Sequence, residues 1–399
     1  MSKPPKGEPL VFLVAGEASG DMIGGRLMEA LKSLTCGRVR FAGIGGEHMT
    51  RLGLESLFPM RELSVMGFFE ILPHVPRLLF RIRQTERAVR RLSADVVVTI
   101  DSPEFNFRVA KRLKGGCIPV VHYVGPQVWA WRPGRARKIA KFLDRLLLLF
   151  DFESKFFVDT GLDTVFVGHH LAEAEIGRTN GAAFRRHHNI EMDEKLLAIL
   201  PGSRYSEISR HLPIFGETVN ALAERQILRH VVIPALPALR EKINATVQQW
   251  PVKTTIINGS EQQSKYAALV ASDAALTSSG TATLELAIAG VPMVVAYRAN
   301  PITVAIARRI VRVEHIALVN IVAERRVAPE FLQEDCASAP LTSAIEKLLI
   351  DAAARDDQIT CFRHVADRLM ANGAAPSDIA AKAVLEVAQN AGKNKERYT

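Results

Sequence analysis

Short, continuous apolar runs along the chain alternate with longer stretches whose apolar residues recur every three or four positions. LVFLVA (Leu10–Ala15), RFAGI (Arg40–Ile44), DVVVTI (Asp95–Ile100), PVVHY (Pro119–Tyr123), RLLLLF (Arg145–Phe150) and TVFV (Thr164–Val167) each have the length of a strand buried on both faces. The pattern then starts again with LLAIL (Leu196–Leu200), Val231–Ala235, Thr254–Ile257, DAAL running into Thr277, and MVVAY after Pro292. Helical patterns lie between these runs, including one from about Ser206, one over Glu261–Ser272 and one over Ala282–Ala289. Pro301–Arg312 and a stretch near Leu341–Ala352 also read as helices, and helix continues to about Asn390. Strands alternating with helices predict parallel sheets, and the repetition predicts two doubly wound domains. The polar, charge-rich segment Glu173–Glu194 reads as the linker between them.

In such sheets ligands bind beyond the carboxyl ends of the strands, so the turns there carry the candidate chemistry. The first strand runs into GEASGD, with Glu17, Ser19 and Asp21; its spacing fits neither GxGxxG nor a P-loop, and helix capping is the alternative role for Ser19 and Asp21. Asp101 follows the third strand. It can serve as a general base or as a helix N-cap ahead of Pro103. Pro201-Gly202-Ser203-Arg204 is a potential anion cradle with an adjacent guanidinium. Ser278-Ser279-Gly280-Thr281 opens another helix, whose free N–H groups suit a phosphate or are simply capped by hydroxyls. Glu285, one turn further, could reach sugar hydroxyls. His169 could meet a ligand or serve the fold. Trp129 and Trp131, close together in one loop, read as a packed lid or a sugar platform.

Ser64–Ile82 departs from the pattern. Met66, Phe68, Phe69, Leu72, Val75, Leu78 and Leu79 are crowded around Pro73 and Pro76, and Arg77 and Arg81 lead an arginine-rich run. The prolines argue against one long helix. Two ordinary helices with a solvated arginine face would give this pattern, and so would a surface that meets acyl chains and anionic headgroups.

Composition narrows the classes. With 399 residues, 48% of them hydrophobic, two or three domains with sizeable cores are expected. Lys and Arg (51) exceed Asp and Glu (42), which suits an anionic partner without choosing one. Cys36, Cys117, Cys336 and Cys361 form no CxxC pair, which argues against a disulfide framework or structural zinc. No HExxH or DxD motif appears, so no metal is expected. The first residues lack a signal-peptide pattern and no apolar run reaches a membrane span, so a cytoplasmic protein, at most attached to a membrane surface, is expected.

The strings VAGEASGD, SVMGFFEIL, DSPEFN, HYVGPQVWAWRPGR, FVGHHL, LPGSR, SSGTATLE, PMVVAYR and VNIVAERRVAPEFLQ, in this order and spacing over almost the whole chain, strongly resemble the lipid-A-disaccharide synthases. The resemblance implies an inverting glycosyltransferase of GT-B fold: two Rossmann-like domains facing across a cleft, with C-terminal helices returning to the first. It implies an acceptor and membrane-docking domain over 1–172, a UDP-sugar donor domain over 173–355, and crossing helices over 356–399, exchanged in a dimer if the protein is not a monomer. The implied substrates are UDP-2,3-diacylglucosamine and 2,3-diacylglucosamine 1-phosphate; no cofactor, metal or nucleic acid is implied. Asp101 would be the base and Glu17 its support or an acceptor contact. Gly202, Ser203, Arg204, Ser279, Gly280, Thr281, Glu285 and Asn320 would hold the donor. Met66, Phe68, Phe69, Leu72, Val75, Leu78, Leu79, Arg77 and Arg81 would dock on the anionic inner membrane of a Gram-negative bacterium. The sequence departs from the family pattern at His170 (GHP in the family), Val319 (LPN) and Glu324 (AG). The alternatives are another UDP-sugar enzyme of the same fold, an epimerase or a transferase to a soluble acceptor, or a non-enzymatic protein using its basic surface.

Overall fold

The apolar runs pair into two separate six-stranded sheets, parallel throughout. The first holds β1 (Leu10–Ala15), β2 (Arg40–Ile44), β3 (Val96–Ile100), β4 (Val120–Tyr123), β5 (Arg145–Leu148) and β6 (Asp163–Phe166), in the order β2-β1-β3-β4-β5-β6. The second holds β7 (Leu196–Leu200), β8 (His230–Ala235), β9 (Lys253–Asn258), β10 (Ala274–Thr277), β11 (Met293–Tyr297) and β12 (Glu330–Leu332), in the order β12-β11-β10-β7-β8-β9. This computed structural model describes residues 8–63, 75–131, 134–301, 304, 313–371 and 373–397.

Each sheet belongs to one compact unit: Met1–His170 with Leu369–Thr399, and Leu171–Arg368. In each the strand order reverses direction once, between β1 and β3 in the first unit and between β7 and β10 in the second. Each reversal is a topological switch point, where helices leave toward opposite faces and a crevice opens at the carboxyl ends. An aspartate pins both pairs from below. The Asp95 carboxylate, at the entry to β3, accepts the Leu10 N–H at 2.8 Å, and Asp273, at the entry to β10, accepts the Leu196 N–H at 2.8 Å. Every residue of β1, β3, β7 and β10 is buried. At about 1.5–3 kcal/mol per large apolar side chain, that burial is why continuous apolar runs form these central strands.

The first unit is closed by the far end of the chain. Helix Pro376–Arg397 packs on helix Ala18–Leu34. Leu369 O accepts the His169 N–H at 2.8 Å, and the Arg145 guanidinium donates to Ala383 O at 2.8 Å and to Glu386 at 2.9 Å. The preceding helix, Ala352–Arg368, stays in the second unit, where Gln358 binds both backbone groups of Met293.

Glu173–Glu194 is not a linker in structure. Asn180 caps helix Gly181–His187 through the Ala183 N–H. Arg185 is buried and donates to the carbonyls of Ala271, Glu191 and Glu194 and to Asp273. Its charge suggested solvent, but its five donors tie this segment into the second unit. The edge strand β12 was not legible as a strand; its three residues are all only half-buried.

Candidate functional site

In the first unit, the turns after β1 and β3 meet at the switch point. Asp101 and Ser102 both have left-handed backbone, with φ of 52° and 43°. Side-chain-bearing residues adopt this region at a cost of about 1 kcal/mol each or more, so the surroundings must enforce it. Asp101 Oδ1 accepts its neighbour's N–H, from Ser102, at 2.8 Å, and Oδ2 accepts the Ser19 hydroxyl at 3.2 Å. The Asn106 amide donates to Asp101 O at 2.7 Å and to Ile100 O at 3.1 Å. Gly16 lets the two turns touch, since a Cβ there would lie 2.3 Å from Ser102 Oγ. Ser102, not Asp101, is the N-cap residue of helix Pro103–Leu113, which leaves the half-buried Asp101 carboxylate at the crevice.

Glu17 is the half-buried N-cap residue of helix Ala18–Leu34, two residues before Ser19. Asp21 is buried and accepts N–H groups from Gly46, His48 and Met49, at 2.7, 2.9 and 3.2 Å. It therefore holds the turn after β2. His169 is buried, stacked on His170 at 4.3 Å, and burial holds its pKa well below that of an ordinary imidazole.

Sequence reading missed Glu153. It is buried beside β5; its carboxylate accepts the Trp129 indole N–H at 3.2 Å and the N–H groups of Leu149 and Phe150, both at 3.1 Å. Trp129 is thus a packed anchor of its loop, and its ring meets Phe152 edge-on. Burial pushes the Glu153 carboxyl up to about 7 against the pull of those three donors. Between the ordinary carboxyl range and pH 7 the folded chain therefore keeps a proton that the unfolded chain has released. Stability at this site is full below about pH 4.5 and falls as pH rises through 7, by about 3 kcal/mol at most. Thermal unfolding should occur at lower temperature at pH 8 than at pH 5, and Glu153→Gln should flatten that difference; an unaltered slope would remove Glu153 as its source.

In the second unit, the turns after β7 and β10 flank the other switch point. Gly202 has φ of 123°, and a Cβ there would lie 2.6 Å from Glu207 Oε2. That carboxylate accepts the Ser203 and Arg204 N–H groups at 3.0 and 3.3 Å, so an internal anion fills the backbone cradle. The Arg204 guanidinium remains largely exposed, with Glu207 at 3.5 Å. His211, fully buried on the same helix, Tyr205–Glu224, donates from Nδ1 to Pro201 O at 2.7 Å and accepts the Arg298 N–H on Nε2 at 2.9 Å. It links the turn after β7 to the end of β11.

At Ser278–Thr281 no internal acid intrudes. Among the described residues, the N–H groups of Ser279, Gly280, Thr281 and Ala282 donate to no protein acceptor. Glu285 is buried and is paired with Lys265 at 2.5 Å, a partner sequence reading did not single out. Ser279 Oγ donates to Ile316 O at 2.7 Å. Asn320 has a different place from the one expected. Its fully buried amide donates to Ala328 O and Glu330, both at 2.8 Å, and accepts N–H groups from Val327 and Ala328 at 2.8 and 2.9 Å. Both donors and both lone pairs are used, so it supports the site and offers a ligand nothing. Glu324 ends helix Leu318–Ala323 with left-handed φ of 54°, which accounts for the family's glycine there.

Of the apolar, arginine-flanked segment, Met66, Phe68, Phe69 and Leu72 lie outside the described residues, as does the Val75 side chain. Helix Val75–Leu92 takes Pro76 in its first turn. Leu78 packs against the core of the first unit, whereas Leu79 and Phe80 are exposed. Arg77 and Arg81 are held by Glu62, at 3.0 and 2.8 Å, and Arg81 also lies over the Phe58 ring. Arg81 first, then Arg77, holds the Glu62 carboxyl below its usual range against partial burial. Arg83, Arg87 and Arg91, one helical turn apart, line a cavity of about 560 Å³ with Leu57, Phe80 and Gln84. Among the described residues none of these three arginines meets a carboxylate.

Among the described residues no cluster of His, Cys, Asp and Glu is placed to hold a metal ion, and no helix is long and apolar enough to cross a membrane. The family described as lipid-A-disaccharide synthetase matches residues 11–384. A lipid-A-disaccharide synthase of Rhodospirillum centenum is 48% identical over 380 residues, covering 95% of this chain and 94% of that one. Among solved structures, the S. aureus MnaA–UDP co-structure aligns with a TM-score of 0.64 at 12% identity, covering 94% of this chain and 95% of that one. MurG of Acinetobacter baumannii aligns at 0.55 and 13%, covering 95% and 99%.

Proposed function

The chain belongs to the lipid-A-disaccharide synthase family, and from that premise we propose how its two sheets divide the reaction. The fold is GT-B and the activity is glycosyl transfer. 2,3-Diacylglucosamine passes from its UDP ester to the 6-hydroxyl of 2,3-diacylglucosamine 1-phosphate with inversion, giving the β-1′,6-linked disaccharide 1-phosphate and UDP.

The second unit holds the donor. The N–H groups of the Ser279–Ala282 turn and the Arg204 guanidinium take the diphosphate, and Glu285, steadied by Lys265, takes the ribose hydroxyls. Glu207 uses the Ser203 and Arg204 amides, so among the described residues the Gly202 N–H is the donor this turn keeps for a ligand. The first unit carries the base. As the acceptor oxygen bonds to the anomeric carbon, its proton passes to the Asp101 carboxylate. The bond from that carbon to the diphosphate breaks, and its electron pair leaves with UDP, where Arg204 and the turn N–H groups meet the new charge. Glu17 lies in the same turn as Ser19 and orients the acceptor.

The observation that carries this division is that each candidate turn stands at the switch point of its own sheet. The test is to supply both substrates and follow UDP and disaccharide 1-phosphate, which should appear in equal amounts. UDP formed at the same rate without acceptor, or no disaccharide, would overturn it. Neither the UDP-sugar epimerase nor the soluble-acceptor alternative explains why arginines and exposed apolar side chains share one helix.

That helix supports docking on an anionic membrane surface, with Leu79 and Phe80 exposed beside Arg83, Arg87 and Arg91. Arg77 and Arg81, being held by Glu62, contribute less. Replacing Arg83, Arg87 and Arg91, which meet no carboxylate among the described residues, by Gln should weaken binding to vesicles with anionic phospholipid by about a hundredfold, at roughly 1 kcal/mol per arginine. Arg77→Gln should change it little; equal losses would remove the distinction.

A further inference from the structure

We propose that Asn106 is the positioning residue that aims the Asp101 carboxylate; this rests on the reading of Asp101 as the base. Asn106 is fully buried in the first turn of helix Pro103–Leu113. Its Nδ2 faces three main-chain carbonyls: Asp101 O at 2.7 Å, Ile100 O at 3.1 Å and Val14 O at 3.5 Å. Only a donor can face three acceptors, so chemistry fixes which way the amide points. Its Oδ1 is thereby turned into the interior, where no partner among the described residues meets it. A buried acceptor left unmatched is a cost that packing alone gives no reason to carry.

The donors go where the backbone is least able to hold itself. Val14 and Ile100 lie on the two strands of the switch point, and Asp101 and Ser102 are the two left-handed residues. The Asn106 main-chain N–H closes on Ser102 O at 3.1 Å. One residue therefore grips three successive peptide units, 100, 101 and 102, from inside the helix. With that grip, Asp101 presents one oxygen to the Ser102 N–H and the other to Ser19. Without it, the turn can relax toward ordinary backbone angles, and the carboxylate swings with it.

The test uses two variants of the full chain. Asn106→Leu keeps the volume and removes both the donors and the unmatched oxygen. It should fold and bind UDP as the wild type does, with the donor KM unchanged. Its kcat should fall about a hundredfold, the loss expected of a misplaced catalytic group, and the acid limb of its pH–rate profile should move. Asn106→Asp places a carboxyl before the same three carbonyls. It can donate only while protonated, and burial raises its pKa. Its activity should persist at low pH and fall as pH rises, adding an alkaline limb to the wild-type profile.

A folded Asn106→Leu with kcat within about threefold of wild type overturns the proposal. If that variant does not fold, a wild-type pH profile in Asn106→Asp overturns it instead. Asp101→Asn separates the two layers. If it stays active, the base reading falls and the positioning role with it; if it is inactive while Asn106→Leu is active, only the positioning role falls.

Discussion

Asp101→Asn should lower turnover by about three orders of magnitude while leaving UDP affinity unchanged, the loss expected when a positioned general base is removed. The amide is nearly the same shape as the carboxylate. Its oxygen can still accept the Ser102 N–H at the 2.8 Å position, so the left-handed turn should survive. What is lost is the ability to take a proton from a hydroxyl as it attacks. The turns proposed to bind UDP lie in the other unit, so binding measured by calorimetry should not change. Single-turnover rates should show that the chemical step itself has slowed. Turnover near the wild-type level would remove Asp101 from the role of base.

The second large effect is expected at Arg204. Its side chain is 64% exposed and its one close acid among the described residues is Glu207 at 3.5 Å, so the fold does not depend on the guanidinium. Arg204→Ala should keep the wild-type unfolding temperature and lower kcat by about a hundredfold, the scale of losing one charged or N–H donor to a developing anion. The contrast is Glu207→Ala, which strips the acceptor from two main-chain N–H groups and from the packed Gly202 turn. That change should cost stability first. If Arg204→Ala releases UDP and product as fast as the wild type, the departing diphosphate is neutralised elsewhere.

Much of this architecture was legible in the chain before any coordinates, because parallel strands buried on both faces must be written as unbroken apolar runs. LVFLVA, LLAIL and MVVAY gave their strands to the residue. The half-buried strand Glu330–Leu332 has no such run and was not seen. The turns could be located for the same reason, since they begin where the runs stop. Their internal wiring could not. That Glu207 fills the cradle of its own turn depends on where a helix starts in space. That Lys265 reaches Glu285, or Trp129 reaches Glu153, depends on elements 20 and 24 residues apart coming together. Asn320 shows the opposite limit. A motif marked it as important, and only its four hydrogen bonds reveal that its role is to hold the segment Val327–Glu330.

The helix Pro376–Arg397 gives the molecule a birth order. The half that begins the polypeptide needs its last residues to cover helix Ala18–Leu34 and to engage Arg145, whereas the middle half has all its parts once residue 368 has been made. On the ribosome, the later-encoded half can mature while the earlier one waits, with helix Ala18–Leu34 awaiting that cover. A chain cut short just after Arg368 would leave the tunnel as a finished second half joined to an unfinished first, a form that chaperones and proteases can tell from the complete protein.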